Sequence, residues 1–203
     1  PQKWQNNDIV FIQLMSDISQ IEIKVRNKFT KQIVFSHQMT QVAFLNNVGY
    51  FQDQVAFDNT ALFPDALYAI EFYGGDPVQI KLECEEMHVK ECHPNTMLVK
   101  YSNSFNDLTF LWETMAYCTF RFDGVIPTED TKSERTGYID QTRNGKTVKG
   151  RAYREAILSI GTQGGSPKWQ VDKMSDILNC TSTVFDGKPF SVSPGAQFEM
   201  KKV

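Results

Sequence analysis

Apolar and polar positions alternate along most of the first half of the chain, which is the pattern of β-strands with one buried face. The segment 21–26 is the clearest case, because isoleucine or valine at every second position is separated by Glu22, Lys24 and Arg26. Similar short runs recur between residues 9 and 92, with turn residues about every 8 to 12 positions. We therefore predict an immunoglobulin-like β-sandwich domain over residues 1–93, followed by a short linker.

Two local features refine this first domain. Tyr68 follows a Pro64-Asp65 corner, an arrangement in which a sandwich tyrosine bonds back to nearby backbone through its hydroxyl. Farther on, the apolar positions change parity around Glu85 and Glu86, which predicts a β-bulge there.

The second half, residues 94–203, also has strand periodicity, and we predict a second sandwich domain that contains one α-helix near residues 167–179. Ser166 is a candidate N-cap, Pro167 fits the first helical position, and four apolar residues then follow at helical spacing (Val171, Met174, Ile177 and Leu178). A hairpin is predicted over residues 181–192 and a last strand over 198–203. The predicted fold class is thus mainly β, with two consecutive β-sandwich domains.

The segment 127–149 breaks this pattern. Its first ten residues contain no aliphatic or aromatic side chain, and an Asn144-Gly145 turn follows. We predict a long, mobile, exposed loop at 127–149. It is either an ordinary solvated connection or an arm that becomes ordered on a neighbouring subunit.

Composition narrows the possible classes of protein. Hydrophobic residues make up 41% and aromatic residues 12% of the 203 positions, which is enough for a packed core. The formal net charge of −3 leaves no excess of positive charge for a phosphate backbone, so nucleic acid is not an expected partner. No apolar run approaches the ~20 residues of a membrane helix, and residues 1–7 lack a secretion pattern, so we expect no membrane association and a cytosolic environment.

The cysteines and histidines suggest a metal site only weakly. In a reducing compartment we interpret Cys84, Cys92, Cys118 and Cys180 as thiols, with Cys118 and Cys180 buried. The spacing Cys84-x3-His88-x3-Cys92-His93 contains zinc-ligand types. On an extended strand, however, the two cysteines would lie more than about 20 Å apart. No metal and no cofactor are predicted.

No catalytic residue is predicted either, because the phosphate-loop, nucleophile-elbow and zinc-helix motifs are missing and the carboxylate pairs Glu85-Glu86 and Glu129-Asp130 fit a solvated surface. We expect a protein that is not an enzyme. The large aromatic residues could form a sugar-stacking platform, although core packing explains them equally (Trp4, Tyr50-Phe51, Phe72-Tyr73, Trp112 and Trp169). A carbohydrate-binding or adhesin module is therefore the alternative function.

Several stretches of the second half resemble structural proteins of tailed phages of gut bacteria, including the crAss-like group. These are TMLVKYSNSFND at 96–107, YIDQ at 138–141, YREAILSIG at 153–161 and WQVDKMSDILNC at 169–180. The resemblance implies a virion structural protein of the neck or tail, assembled in the host cytoplasm as a symmetric homo-oligomer that contacts other virion proteins. It carries over no catalytic residues.

Overall fold

The described part of the chain is mainly β, as the alternating pattern predicted. The computed structural model describes residues 1–75, 79–105, 111–112, 117–139, 141, 145–161 and 165–192, and in these residues it has fourteen strands and one helix. The strand predicted at 198–203 lies outside the described residues. No described helix is long and apolar enough to cross a membrane.

Residues 1–90 form two sheets. The large sheet has the order β1-β9-β7-β3-β4, with β8 also paired to β7, and the small sheet has the order β2-β6-β5. Every pairing is antiparallel except that of β1 with β9. The large-sheet strands are β1 (Gln2–Gln5), β3 (Ile21–Asn27), β4 (Ile33–Gln38), β7 (Ala66–Gly74), β8 (Gln79–Glu83) and β9 (Met87–Lys90); the small-sheet strands are β2 (Ile9–Ser16), β5 (Thr40–Leu45) and β6 (Val48–Ala56).

Both sheets contribute to one buried apolar core. Strand β3 shows why, since Ile21, Ile23 and Val25 are at most 3% exposed while the charged residues between them are partly exposed. Phe51 and Val55 of β6 supply the small sheet's share of the same cluster. The alternation predicted for segment 21–26 is therefore confirmed as the side of β3 that faces the core.

Of the two local predictions in this half, the tyrosine corner is confirmed, whereas the β-bulge predicted at Glu85 and Glu86 is replaced by an interruption of the strand. The Tyr68 hydroxyl donates to the carbonyl oxygen of Pro64 at 2.7 Å. The run after the Gly74-Gly75 turn is divided into β8 and β9, which pair with the same strand β7 on either side of residues 84–86. The change of parity at Glu85 and Glu86 is thus a break between two short strands.

The second half contributes a five-stranded sheet with the order β12-β11-β10-β13-β14 and the helix α1. Its strands are β10 (Thr96–Ser102), β11 (Cys118–Ile139), β12 (Gly145–Ile160), β13 (Ser182–Phe185) and β14 (Lys188–Phe190). Strands β13 and β14 confirm the hairpin that was predicted over 181–192. In the described residues this half is one sheet covered by one helix.

Helix α1 (Lys168–Leu178) lies where it was predicted and packs on the sheet through Met174 and Ile177, which are fully buried. Pro167 has an extended ψ of 144° and is the N-cap residue, so the helix begins at Lys168, one position later than predicted. The Ser166 hydroxyl bonds the Gln170 side chain at 2.6 Å instead of capping the helix.

The predicted loop at 127–149 is wrong. Residues 118–139 and 145–160 are the two longest strands of the described chain and pair with each other in antiparallel register. The segment lacks the hydrophobic alternation of a strand because both of its faces are exposed, and threonine favours extended backbone without any buried face. We call the paired residues 124–139 and 145–160 the ribbon.

Candidate interaction surface

The ribbon continues β11 and β12 past the edge of the sheet. Strand β10 pairs with β11 only as far as Asp123, whereas β11 and β12 stay paired from Gly124–Ile160 to Ile139–Gly145. Sixteen residues at about 3.3 Å each give a ribbon about 50 Å long. Beyond Gly124 neither strand has a third strand beside it in the described residues.

Solvent reaches both faces of the ribbon. Successive residues from 129 to 134 are all exposed, although neighbours in a strand point to opposite faces. Near its base the ribbon also exposes two apolar side chains, Val125 at 41% and Ile157 at 67%. At the base Ile126, Leu158 and Ile160 pack on the second core. Farther along, where residues 129–134 are exposed on both faces, an extended element with two open edges is a surface that other chains can contact.

Ion pairs on the ribbon are superficial. Lys132 pairs with Glu155 across the two strands, and Arg154, whose side chain is 76% exposed, lies 3.9 Å from Glu129. Lys188 of β14 donates to Glu129 at 2.7 Å and holds the pKa of that carboxyl below its ordinary value. The predicted carboxylate pair Glu129-Asp130 thus takes part in surface pairing at the ribbon's base.

At its other end, β11 passes through a buried junction between the two halves. Arg121 donates from Nε to Asp8 Oδ2 at 2.7 Å and from its second terminal nitrogen to Oδ1 at 2.8 Å. Both side chains are at most 7% exposed. Lys3 bonds Asp123 at 2.6 Å two residues farther along the strand. The ribbon is therefore continuous with a strand that is fixed to the first half.

The small sheet also belongs to this junction. The Phe11 ring meets Tyr117 with centroids 4.4 Å apart, and the Thr119 hydroxyl donates to the Ile9 carbonyl oxygen. The Gln13 side chain accepts from the Leu111 backbone N–H at 2.8 Å. One face of β2 thus packs on the first core and the other on the second half. Sequence reasoning missed this junction because Asp8 and Arg121 are 113 residues apart.

A cavity of about 530 Å³ opens along the seam between the halves. Its walls include the aromatic rings of Phe11, Phe120 and Trp169, and its polar groups include Asp172 and Asp176 of α1. Trp169 is 46% exposed and meets Phe120 edge-on at 6.0 Å. The seam thus brings an accessible aromatic side chain and carboxylates together.

The other predicted aromatic residues do not form a platform. Trp4, Phe51, Phe72 and Trp112 are buried at 5% exposure or less, and Tyr50 and Tyr73 are half-buried. Core packing explains most of them, as one of the two readings held. Trp169 is the exposed member of the set.

The cysteines and histidines do not come together as ligands. In the described residues no group of three or more histidine, cysteine, aspartate or glutamate side chains could hold a metal ion. Cys84 and Cys92 are exposed, whereas His93 is buried and donates to the His88 carbonyl oxygen at 3.0 Å. Burial lowers the pKa of His93.

The other two thiols differ from each other. Cys118 is buried in the second core, as predicted, and desolvation raises its pKa to about 11. Cys180, which was also predicted to be buried, is only half-buried because it lies just past the end of α1. The buried thiol of Cys118, with its raised pKa, is a poor nucleophile.

Comparison with known proteins places no further constraint on the chain. No protein-family model matches it, and no curated protein matches it either.

Proposed function

We propose that this chain is a non-enzymatic structural protein of a tailed-phage virion, a neck or tail ring component that assembles through protein–protein contacts. In this proposal it is a symmetric homo-oligomer that also contacts other virion proteins, and residues 1–93 and 94–203 are its two immunoglobulin-like domains. Assembly takes place in the host cytoplasm. The ribbon is the observation that carries the proposal.

The physical reason is the instability of a lone ribbon. A two-stranded hairpin with no covered face is marginally stable in water, and its free backbone groups are available for pairing with other chains. The ribbon of this chain nevertheless extends for about 50 Å. A partner that covers it would supply the missing contacts, and repeated subunits of a ring offer such a partner at fixed geometry.

The junction supports the same proposal. A long element that docks on a neighbour is useful only if its base has a fixed direction. The bidentate Asp8–Arg121 pair and the shared small sheet hold the first six residues of β11 against the first half. The ribbon's orientation is therefore fixed by its attachment to the first half of the chain, which lowers the entropy cost of docking.

The proposal is tested on assembled particles. An antibody against the chain should label purified virions of the source phage at the neck or tail in electron micrographs, with a capsid antibody as the positional control. Absence of the protein from intact, purified particles would contradict the proposal.

A carbohydrate-binding module remains the second candidate because of one observation, the exposed Trp169 beside Asp172 and Asp176 in the seam cavity. Aromatic faces and carboxylates together suit sugar rings. A glycan array should then show binding that Trp169→Ala removes and that Phe29→Ala, which alters an exposed aromatic residue outside the cavity, leaves intact. No binding to any glycan would remove this candidate.

A further inference from the structure

Charge is distributed unevenly along the ribbon. We call residues 134–139 and 145–151 the distal ribbon; they are the pairs from Glu134–Arg151 to Ile139–Gly145. The distal ribbon has four basic residues and one acidic residue (Arg135, Lys146, Lys149, Arg151 and Glu134). The remainder of the chain, which we call the body, has 17 of the 21 basic and 23 of the 24 acidic residues. A distal ribbon of net charge +3 thus extends from a body of net charge −6.

The ribbon is long compared with the size of a folded chain, so the distal ribbon lies far from the body. A folded chain of 203 residues has a radius of gyration of roughly 17 Å, whereas the ribbon extends about 50 Å from the sheet. The described side chains of the distal ribbon, Glu134, Thr136, Gly137, Lys149 and Gly150, are all exposed. Lys149, the basic residue of the distal ribbon whose side chain is described, is therefore accessible to other molecules.

The same charges favour one of two possible contacts between copies of the chain, ribbon to ribbon or ribbon to body. Pairing of two distal ribbons would bring like charges together, which is unfavourable. Contact of a distal ribbon with the body of another copy brings opposite charges together. Such a contact joins two different surfaces, so it is heterologous and closes into a ring when the rotation between copies permits.

Nucleic acid fits the charges less well. A basic ribbon could enter the major groove of a duplex, but the acidic body beside it would repel the phosphates. The body of a second copy offers a net charge of opposite sign, −6 against +3.

Building on the proposed function, we propose that the distal ribbon of one copy docks on the acidic body of a second copy, in a head-to-tail contact that builds the ring. Because the attraction is between exposed charges, it weakens as salt shortens the Debye length.

The test compares two triple variants of the full chain by sedimentation velocity. The first is Arg135→Gln, Lys149→Gln and Arg151→Gln in the distal ribbon. The control removes the same number of charges nearer the sheet, by Lys132→Gln and Arg154→Gln in the ribbon and Lys188→Gln in β14. We expect the wild type to self-associate and the distal variant to associate about tenfold more weakly or worse, because three surface charge contacts are lost. The control should stay within about twofold of wild type, and raising salt from about 0.05 M to about 0.5 M should weaken the wild type.

Mixing the proteins tests the head-to-tail geometry. A fluorescent distal variant keeps an intact acidic body, so it should still bind the ribbon of an unlabelled wild-type copy. Failure of this binding would overturn the ribbon-to-body contact, and so would equal association of the two triple variants.

Two further outcomes separate this inference from the proposed function. A wild-type chain that stays monomeric, yet is present in purified particles, would overturn the second-copy contact while the virion assignment stands. Binding of a labelled DNA duplex that the distal variant loses, without any self-association of the wild type, would overturn the inference in favour of nucleic acid.

Discussion

The junction and the ribbon share strand β11, and each pairs a basic side chain with a carboxylate. The two pairs differ in their surroundings. At the junction, Arg121 and Asp8 are almost fully buried and share two short hydrogen bonds. On the ribbon, Arg154 is 76% exposed and lies 3.9 Å from Glu129, a longer distance than at the junction. Since burial decides what an ion pair is worth, the comparison indicates that the junction maintains the fold and the ribbon serves contacts with other molecules.

The largest expected effect comes from breaking the junction pair. Arg121→Met leaves Asp8 buried without its partner and should lower the free energy of unfolding by about 3–5 kcal/mol. The matched change Arg154→Met on the ribbon should alter it by about 0.5 kcal/mol or less. Urea denaturation of the two variants measures both. Equal losses would contradict the division between junction and ribbon.

An intermediate case lies between these two positions. Asp123 is two residues beyond Arg121 on β11, and its pair with Lys3 is partly exposed, at 21% and 37%. Asp123→Asn should therefore lower the free energy of unfolding by about 1 kcal/mol or less. The same urea series places it between Arg121→Met and Arg154→Met. A loss as large as that of Arg121→Met would show that burial is not the governing variable.

A smaller effect should appear as a pH dependence of the junction. His93 lies in the connection between the halves, where its carbonyl oxygen accepts from Gln5 at 3.2 Å. Burial lowers its pKa below the ordinary 6.5, and the hydrogen bond to the His88 carbonyl oxygen opposes this only in part. The unfolded chain therefore binds more protons than the folded chain as the pH falls through that value. The free energy of unfolding should decrease from about pH 7 to about pH 5.

A histidine variant isolates this contribution. His93→Gln should flatten the decrease between about pH 7 and about pH 5, because the titrating group is gone. The slope of the wild-type chain is the reference for this comparison. Thermal melts across this range measure the slopes. An unchanged slope for His93→Gln would contradict the assignment.

The contrast between the regions also explains what could be predicted from the sequence. Strand β3 and helix α1 were predicted because each buries one face, and that face leaves a period in the sequence. In the ribbon, residues 129–134 are exposed on both faces, so the same method assigned the segment 127–149 as a loop. The Asp8–Arg121 pair depends on two residues that only the tertiary fold brings together, and no local pattern indicates it.

The candidate site was accordingly predicted in part. The segment 127–149 was predicted to be exposed, either as a solvated connection or as an arm for a neighbouring subunit, but its strand structure and its continuity with the junction were not predicted. Trp169 and Trp112 looked alike in the sequence, and only the structure separates the exposed ring from the buried one.

Hydrogen exchange measured by mass spectrometry tests most directly whether the ribbon is an assembly element rather than part of the stable fold. In the free chain we expect amides of residues 127–139 and 145–157 to exchange much faster than those of β3, β7 and residues 118–123, because this part of the ribbon lies beyond the residues that pack on the second core. In the assembled form, the ribbon amides should become protected while the junction amides change little. A ribbon as protected as the junction in the free chain, or one that stays unprotected after assembly, would contradict this conclusion.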